Sequence, residues 1–527
     1  MKNYIFTNAL IFCMENQGPS IHNSLLVKDG VISLLGSLSE CQSASSSNAE
    51  IIDIGGRALL PAFTDTHTHF VEWAKLQLQV DLVDCNTIAS IKERLASFRD
   101  ARQESPCWIL GGGWDANRCD RPELIKRDLL DEYFPHIPVA LYSKDYHSRW
   151  CNSLALKLAG ISSDTPDPAG GKIWRNSQNE PTGIVSETAS EALDKFIEQP
   201  SAEQISNLVR ASIATAHKLG LAAIHSMESE SSARILSTLA NEERGIRVCW
   251  HFPLELLDEM IEKGRRSYEG NEWFKTGGVK VFADGSLGSR TAAVDHSYPG
   301  SEGNRGILRY SEDELYELGV KAARAGISCS VHAIGVRAVR SVIGAFLRLK
   351  GQYPNLLQRV EHLQSILPED IQRLKESSAY CAMQPIHLAN DIDMIEESWS
   401  PIRDYAYSFR SVKEQGIPFG FGSDSPIETI NPFQGIYCAL NRKKGNDPRQ
   451  PSWLPWQRLS AWDALHAYTL GAAKGSDSHH YAGSLRPGKV ADMIVLEDFT
   501  NLPDEYWLEA KSLLTMIGGR VVFSEWL

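Results

Sequence analysis

Two histidines separated by a single residue, His67 and His69, have the chemistry and the spacing of metal ligands. They end the stretch PAFTDTHTH (residues 61–69), whose apolar start predicts a strand. Because side chains at positions i and i+2 of a strand point to the same side, both imidazoles can reach one metal ion. The pair is also compatible with two exposed histidines near a loop, since short motifs give false positives.

The elements that would position a metal site are apolar strands alternating with amphipathic helices, a pattern that predicts repeated β/α units. Eight segments have strand character: 61–69, 221–227, 247–252, 278–284, 327–332, 358–362, 379–385 and 417–424. Eight is the number of strands that a TIM-like (β/α)8 barrel requires. We therefore predict an α/β fold built on such a barrel.

Both ends of the chain have β character without a helical period. Residues 24–36 predict a hairpin with Lys-Asp-Gly as its turn, and the last part of the chain contains further apolar strands. We predict that the two ends form one small β domain. The interval after the first barrel strand is too long for one β/α unit, which predicts an inserted subdomain over about 75–200. The Gly- and Ser-rich loop 285–307 is long enough to cover a site.

Polar side chains stand where the predicted barrel strands end, and catalytic residues of a barrel collect at those ends. Packing of a buried strand requires none of them, and imidazoles with carboxylates suit zinc or a similar divalent ion. These strand-end residues are His67, His69, Lys280, Asp284, His332, His362 and Asp424.

Lys280 lies inside an apolar strand, where an unpaired ammonium would lose hydration at a cost of several kcal/mol. It could pair with Asp284 on the same side of the strand, or lie at the wet end of the barrel. Alternatively, burial lowers its pKa, so that the neutral amine takes up carbon dioxide and the resulting carbamate bridges two metals. Physical chemistry alone leaves these interpretations open.

Asp424 follows the eighth predicted strand and precedes Ser425-Pro426. A carboxylate beside a metal-bound water can act as ligand and as general base. An aspartate next to a proline is also common in turns and at helix N-termini. Its position on the last barrel strand favours the active role.

Further side chains are candidates for substrate binding. His225 and His251 lie near strand ends but are equally compatible with core histidines. His387 follows the seventh strand and could face substrate, whereas Trp114 and His147 lie in the predicted insertion.

The composition excludes several classes of protein. The chain has 527 residues and a net charge of −13, which argues against a general nucleic-acid or anionic-membrane surface. No apolar run approaches the roughly 18 residues of a membrane span, and the apolar stretch near the N-terminus is shorter than a secretory signal requires. Ten scattered cysteines without a Cys-x-x-Cys pair indicate reduced thiols. We expect a cytoplasmic enzyme with a small-molecule substrate; a homo-oligomer is compatible with the sequence.

The order His-x-His, Lys, His, His, Asp resembles the metal-dependent amidohydrolase superfamily, and the resemblance covers nearly the whole chain. Five stretches resemble its amidohydrolase family 3 branch, which includes N-substituted formamide deformylases: GGGWD (111–115), DGSLGSRTA (284–292), MQPIH (383–387), FGSDSPI (421–427) and GSLRPGKVADMIVLE (483–497). Ala62 departs from the usual Pro-Gly at the start of the first strand.

The resemblance implies an architecture and a ligand set. The barrel would span 61–482 with the insertion at about 75–200, and residues 1–60 plus 483–527 would form a composite β-sandwich. One zinc, or another divalent metal, would be held by His67, His69, Lys280 and Asp424. A second ion would be held by the carbamylated Lys280, His332 and His362. Substrate-binding candidates are Trp114, His147, His225, Asp284, Arg290 and His387.

The implied function is hydrolysis of a non-peptide, amide-type C–N bond by a metal-activated hydroxide, with Asp424 as the general base that passes the proton to the leaving amine. A deaminase, or a hydrolase of cyclic amides or esters, could use the same metals, because substrate choice depends on the loops added to the fold. A non-catalytic regulatory protein that retained the barrel is a third alternative, and the intact set of ligand types argues against it.

Overall fold

The computed structural model describes residues 2–45, 49–77, 79–83, 85–100, 108–116, 118–144, 147–197 and 200–526. The chain forms two compact units, one of Met1–Val71 with Arg210–Leu527 and the other of Glu72–Val209. Among the described residues, none of the helices combines the length and the apolar character that crossing a bilayer requires. The described cysteines are all free thiols.

The first unit is organised around eight parallel strands that are hydrogen-bonded in sequence order, which we number as barrel strands 1 to 8. They are Phe63–Thr68, Leu221–Met227, Arg247–Pro253, Phe274–Phe282, Cys329–Ala333, Arg359–His362, Tyr380–Met383 and Phe419–Phe421. Nearly every residue in them is buried, as expected of parallel strands covered on both faces. The predicted α/β barrel is confirmed.

Barrel strands 1 and 8 meet at their carboxyl ends and nearly close the barrel. The backbone N–H of Asp424 donates to the His67 carbonyl at 2.7 Å, and the N–H of His69 donates to the Ser425 carbonyl at 2.7 Å. Gly422 permits this approach, because a Cβ there would lie 2.6 Å from both an Asp65 carboxylate oxygen and the His67 nitrogen. The chain segments that carry the first and last predicted ligands are therefore joined through backbone hydrogen bonds.

Helices follow the barrel strands along the chain. Those of the first unit, including one that begins in it and one that ends in it, are Leu38–Ala44, Phe70–Leu76, Ala202–Lys218, Glu230–Ala240, Leu257–Glu262, Glu312–Arg324, Val336–Gln352, Pro368–Ser377, Pro385–Ser398, Phe409–Glu414, Pro432–Asn441, Ala461–Tyr468, Leu470–Lys474 and Tyr506–Glu509. Short 3-10 segments lie at Leu254–Leu256, Ser400–Tyr405, Lys444–Asn446 and Pro455–Gln457.

Two further sheets of the first unit combine the chain termini. One has the order Val31–Gly36, Ser24–Lys28, Tyr4–Thr7, Glu50–Asp53. The other has the order Leu10–Ile11, Ala58–Pro61, Met493–Leu496, Leu514–Ile517, Arg520–Ser524. Their facing side chains, among them Phe6, Leu25, Leu59, Val495 and Met516, form one apolar core. N-terminal and C-terminal strands thus build one sandwich.

The second unit, Glu72–Val209, has its own sheet and core. Its six strands have the order Gly171–Arg175, Pro181–Glu187, Ser148–Cys151, Val139–Ser143, Ile109–Trp114, Val80–Asp81. Its other elements are the helices Ile88–Asp100, Arg127–Tyr133, Ser153–Leu158 and Thr188–Glu191 and the 3-10 segments Pro122–Leu124 and Asp194–Phe196. Ile91, Leu130, Leu141 and Trp150 are completely buried in it.

Candidate metal centre

Barrel strands 1, 4 and 8 bring four predicted ligands together. The Oδ1 of Asp424 lies 3.5 Å from His67 Nε2 and 3.4 Å from His69 Nε2. One ligand atom from each of these three residues lies within 4.8 Å of those of the other two. The Nζ of Lys280 is 3.2 Å from His67 Nε2. The two imidazoles of the His-x-His pair therefore face one point, as the strand period predicts.

Barrel strands 5 and 6 add His332 and His362 to the same cluster. The ring centroid of His362 lies 4.6 Å from that of His67 and 4.6 Å from that of His332. His362 and Asp424 also have positive φ angles, 74° and 57°. Left-handed backbone at a residue other than glycine costs of order 1 kcal/mol or more and tends to persist where function requires it.

Three of the clustered histidines have one ring nitrogen bonded to a hydrogen-bond acceptor. His67 Nδ1 lies 2.6 Å from Glu361 Oε2, His362 Nδ1 lies 2.9 Å from Gln384 Oε1, and His332 Nε2 lies 2.8 Å from the Gly285 carbonyl oxygen. Each ring therefore donates its N–H to that acceptor, and the lone pair of the other ring nitrogen is left to bind a metal. We call His67, His332 and His362 the acceptor-backed histidines.

Burial makes these side chains available in the form that a metal requires. It lowers the pKa of His67 to about 4 and that of His332 to about 3, so both imidazoles are uncharged at neutral pH. Burial also lowers the pKa of Lys280 to about 8. Burial opposes ionisation of Asp424, but the His69 hydrogen bond and the neighbouring histidines hold its pKa well below the usual range. Neutral imidazoles, an anionic carboxylate and a readily deprotonated amine form a donor set that fits a divalent metal.

Comparison with known proteins agrees with this donor set. The sequence model of the amidohydrolase family matches residues 50–523. The chain belongs to the amidohydrolase family. This confirms the family resemblance, and family membership together with the donor set makes the protein a metal-dependent hydrolase.

Individual relatives are similar to this amidohydrolase over almost its whole length. Protein LONG AFTER FAR-RED 3 of Arabidopsis thaliana is 30% identical over 99% of this chain and 92% of its own. The N-substituted formamide deformylase of Arthrobacter pascens is 26% identical over 94% of each chain. The crystal structure of an uncharacterized metal-dependent hydrolase from Pyrococcus horikoshii OT3 is similar with a TM-score of 0.76 and 27% identity, covering 96% of this chain and 99% of that one.

A buried ion pair lies behind the metal centre of this amidohydrolase. The guanidinium of Arg359 donates to both carboxylate oxygens of Glu361, at 2.8 and 3.2 Å, and both side chains are completely buried. Arg359 also donates to the Thr66 carbonyl at 2.8 Å. Burial opposes the ionisation of Glu361, but Arg359 holds its pKa well below the usual range. The sequence interpretation missed this pair, although an arginine and a glutamate two residues apart on a buried strand were a visible signal.

Asp284, a substrate-binding candidate, is hydrogen-bonded to backbone N–H groups. Its carboxylate accepts the N–H groups of Ala293 at 2.9 Å, Ile334 at 3.1 Å and Gly335 at 2.8 Å. It thereby joins the loop 285–307 to the start of the helix Val336–Gln352, and burial raises its pKa to about 7. These contacts favour a structural role over contact with substrate.

Two other candidates in the first unit have hydrogen-bond partners outside the ligand cluster. His225 is buried in the barrel, where its Nδ1 accepts a hydrogen bond from Arg359 at 2.9 Å. Arg290 is partly exposed and pairs with Glu397 at 2.7 Å. By contrast, His387 is buried beside Asp424, with its Nε2 3.7 Å from Oδ2.

The remaining candidates belong to the second unit. The indole N–H of Trp114 donates to the Leu141 carbonyl at 2.8 Å, and its ring packs edge-on against Trp150, which is typical of a core residue. The side chain of His147 is exposed and lies 3.2 Å from the Glu187 carboxylate. Substrate contact by either side chain stays a prediction.

Proposed function

We propose that the protein hydrolyses a non-peptide, amide-type C–N bond of a small molecule with the help of zinc, two ions per chain. The observation that carries this proposal is the convergence of the acceptor-backed histidines, His69, Lys280 and Asp424 at the carboxyl ends of the barrel strands. His67, His69, Lys280 and Asp424 would hold one ion, and Lys280, His332 and His362 the other.

Lys280 would bridge the two ions as a carbamate. Because burial lowers its pKa to about 8, part of its amine is neutral at neutral pH and can attack carbon dioxide, releasing one proton. The product is an anion with two oxygens, which suits two cations better than an ammonium does. The 3.2 Å distance between Lys280 Nζ and His67 Nε2 supports a place for this group within the ligand set.

Bound zinc lowers the pKa of water towards neutrality and polarises a carbonyl group. The protein's own contribution to the proton path would be Asp424. Its Oδ1 faces His67 and His69, whereas its Oδ2 faces His387. Asp424 can therefore take the proton of the attacking water and deliver it to the leaving nitrogen as the C–N bond breaks.

The substrate class rests on family membership and on one relative whose name specifies N-substituted formamides. An amide has the two features that this site would use, a carbonyl carbon that water can attack and a nitrogen that must be protonated to leave. The alternatives, deamination and hydrolysis of cyclic amides or esters, use the same ligands and are therefore separated by substrate rather than by metal chemistry.

A substrate panel with a metal control tests the proposal. Zinc-loaded protein would be assayed with N-substituted formamides, other N-acyl amines, cyclic amides, esters and aromatic amines. The same protein stripped with a chelator, and then reloaded with zinc, serves as control. We expect amide cleavage that is lost on stripping and restored on reloading. Binding of less than one metal per chain after gentle purification, together with no turnover, would instead favour a non-catalytic protein.

Lys280 is tested separately with carbon-13-labelled carbon dioxide. A carbamate signal that appears in the zinc-loaded protein and is missing in Lys280→Ala would support the bridge. An unmodified Lys280 in a zinc-loaded crystal structure would remove it.

A further inference from the structure

His387 presents an unused ring nitrogen beside the metal centre. It is the third residue of the helix Pro385–Ser398, which begins directly after barrel strand 7. The residue is only 7% exposed, and its Nε2 has no hydrogen-bond partner among the described residues. A buried polar atom without a partner is costly, so such an atom at the edge of a site points to a ligand that satisfies it.

The position of this nitrogen relates it to the reacting groups. Nε2 lies 3.7 Å from Asp424 Oδ2, the oxygen opposite to the one that faces His67 and His69. The imidazole ring of His387 is also stacked near that of His362, with 6.4 Å between centroids. His387 therefore borders both the proton-accepting oxygen and the second set of ligands.

The hydrogen-bond partner of the other ring nitrogen indicates which nitrogen carries the hydrogen. The side-chain amide nitrogen of Gln364, a donor, lies 3.2 Å from His387 Nδ1. Nδ1 accepts from this amide, and the Asp424 carboxylate, 3.7 Å from Nε2, favours a hydrogen on that nitrogen. The reverse amide orientation would turn an Nε2 lone pair towards the Asp424 carboxylate, which is repulsive. In this respect His387 is the opposite of the acceptor-backed histidines: it offers a donor, not a lone pair.

We propose that His387 is a catalytic hydrogen-bond donor whose Nε2–H binds the carbonyl oxygen of the scissile amide, and that Gln364 is the positioning residue that fixes this tautomer. The inference rests on the proposed amide hydrolysis. Negative charge grows on the carbonyl oxygen as water adds to the carbon, and a preorganised donor stabilises that charge. His387 gives up no proton: the water proton passes to Asp424 and then to the leaving nitrogen.

Four variants test the inference, each measured for kcat, KM, zinc content and melting temperature. His387→Leu removes the donor and should lower kcat by about 100- to 1,000-fold, the usual loss for such a donor, with normal zinc content. His387→Gln keeps an N–H near the position of Nε2 and should retain kcat within about tenfold of the parent. Gln364→Leu removes the group that holds Nδ1, so the ring is fixed less firmly, and should lower kcat more than it changes KM.

His217→Leu is the matched control, because His217 is a buried histidine on the helix before barrel strand 2, where its Nε2 bonds the Gly245 carbonyl. It should leave kcat unchanged. Nitrogen-15 NMR of histidine-labelled protein should show a hydrogen on Nε2 of His387 in the parent.

The outcomes separate this inference from the proposed function. A parent protein that cleaves amides while His387→Leu matches it in kcat overturns the inference alone. Equal losses in His387→Leu and His387→Gln with lowered zinc content also overturn it, since they indicate a structural role. A parent that cleaves no amide overturns the proposed function, and a hydrogen on Nδ1 of the parent's His387 overturns the tautomer whatever the activity.

Discussion

Two groups of buried histidines in the barrel differ in the direction of their hydrogen bonds. At the carboxyl ends of the strands, the acceptor-backed histidines donate to Glu361, Gln384 and the Gly285 carbonyl. Deeper in the barrel, His225 accepts from Arg359 at 2.9 Å and His251 accepts from the Gly278 N–H at 3.0 Å. Residue type and burial are the same, but the lone pair that a metal needs is left available only in the first group.

The ion pair of Arg359 and Glu361 lies between the two groups. Arg359 donates to His225 on one side, and Glu361 binds His67 on the other. A histidine's hydrogen-bond partner, rather than its burial, therefore determines whether it can be a metal ligand. Variants that affect the first group should impair chemistry or metal binding, whereas variants that affect the deeper group should impair only stability.

The largest expected effect is on turnover at the metal centre. Asp424→Asn removes the proposed base but keeps a side chain of similar size, so kcat should fall by about 10³- to 10⁴-fold while metal stays bound. Steady-state kinetics with metal analysis of the same sample measure this. Full activity in the variant would exclude Asp424 as the base.

Arg359→Met should have the largest effect on folding. It leaves the carboxylate of Glu361 buried without its cation, which should lower the free energy of unfolding by about 3–5 kcal/mol. Chemical denaturation measures the change. Arg410→Met is the control, because its ion pair with Glu414 is exposed and should contribute less than about 1 kcal/mol. Equal effects in the two variants would contradict the importance of the buried pair.

A smaller effect, on zinc affinity, is expected when Glu361 is changed, because Glu361 bonds both Arg359 and the ligand His67. Glu361→Gln weakens the acceptor behind His67 and should reduce zinc affinity by about 10- to 100-fold. Competition with a chromogenic chelator measures the affinity. Ser330→Ala, which removes a hydroxyl that lies 2.8 Å from His251 Nδ1 in the deeper group, should leave zinc affinity unchanged. A loss of affinity in Ser330→Ala would break the distinction between the two groups.

The smallest expected effect concerns the deeper group and pH. Burial, followed by the charge of Arg359, holds the pKa of His251 well below the ordinary 6.5. Below about pH 6.5 the unfolded chain therefore binds a proton that the native state does not, and stability falls as the pH falls. His251→Gln removes this contribution, so its loss of stability between pH 7.5 and 5.5 should be smaller than that of the parent by about 1 kcal/mol. Denaturation at the two pH values measures this, and an identical pH dependence would contradict a neutral native His251.

The fold was largely predictable because its signals are local. Apolar segments of strand length predict the eight barrel strands, and the Lys-Asp-Gly turn predicts the hairpin between Ser24–Lys28 and Val31–Gly36. Asp29 and Gly30 both have the positive φ that this turn requires. The convergence of His67 and His69 follows from the strand period in the same way.

The partners of the site residues were less predictable. Asp284 is a strand-end acid in the sequence, but its oxygens bind backbone groups near residues 293 and 334–335. Trp114 follows a conspicuous triple glycine, yet its indole packs in the core of the second unit. Both examples have the same cause: what a polar or aromatic side chain contacts depends on residues far away in the chain.

The sequence by itself determined the residue types at the ends of the strands, their order along the barrel and, through local periodicity, that His67 and His69 face one side. Only the tertiary structure decided which nitrogen of each ring is free. Glu361 binds His67 across 294 positions of sequence, and Gln364 binds His387 across 23. Strand periodicity acts over a few residues, whereas the direction of a hydrogen bond depends on whichever donor or acceptor the fold brings to the ring.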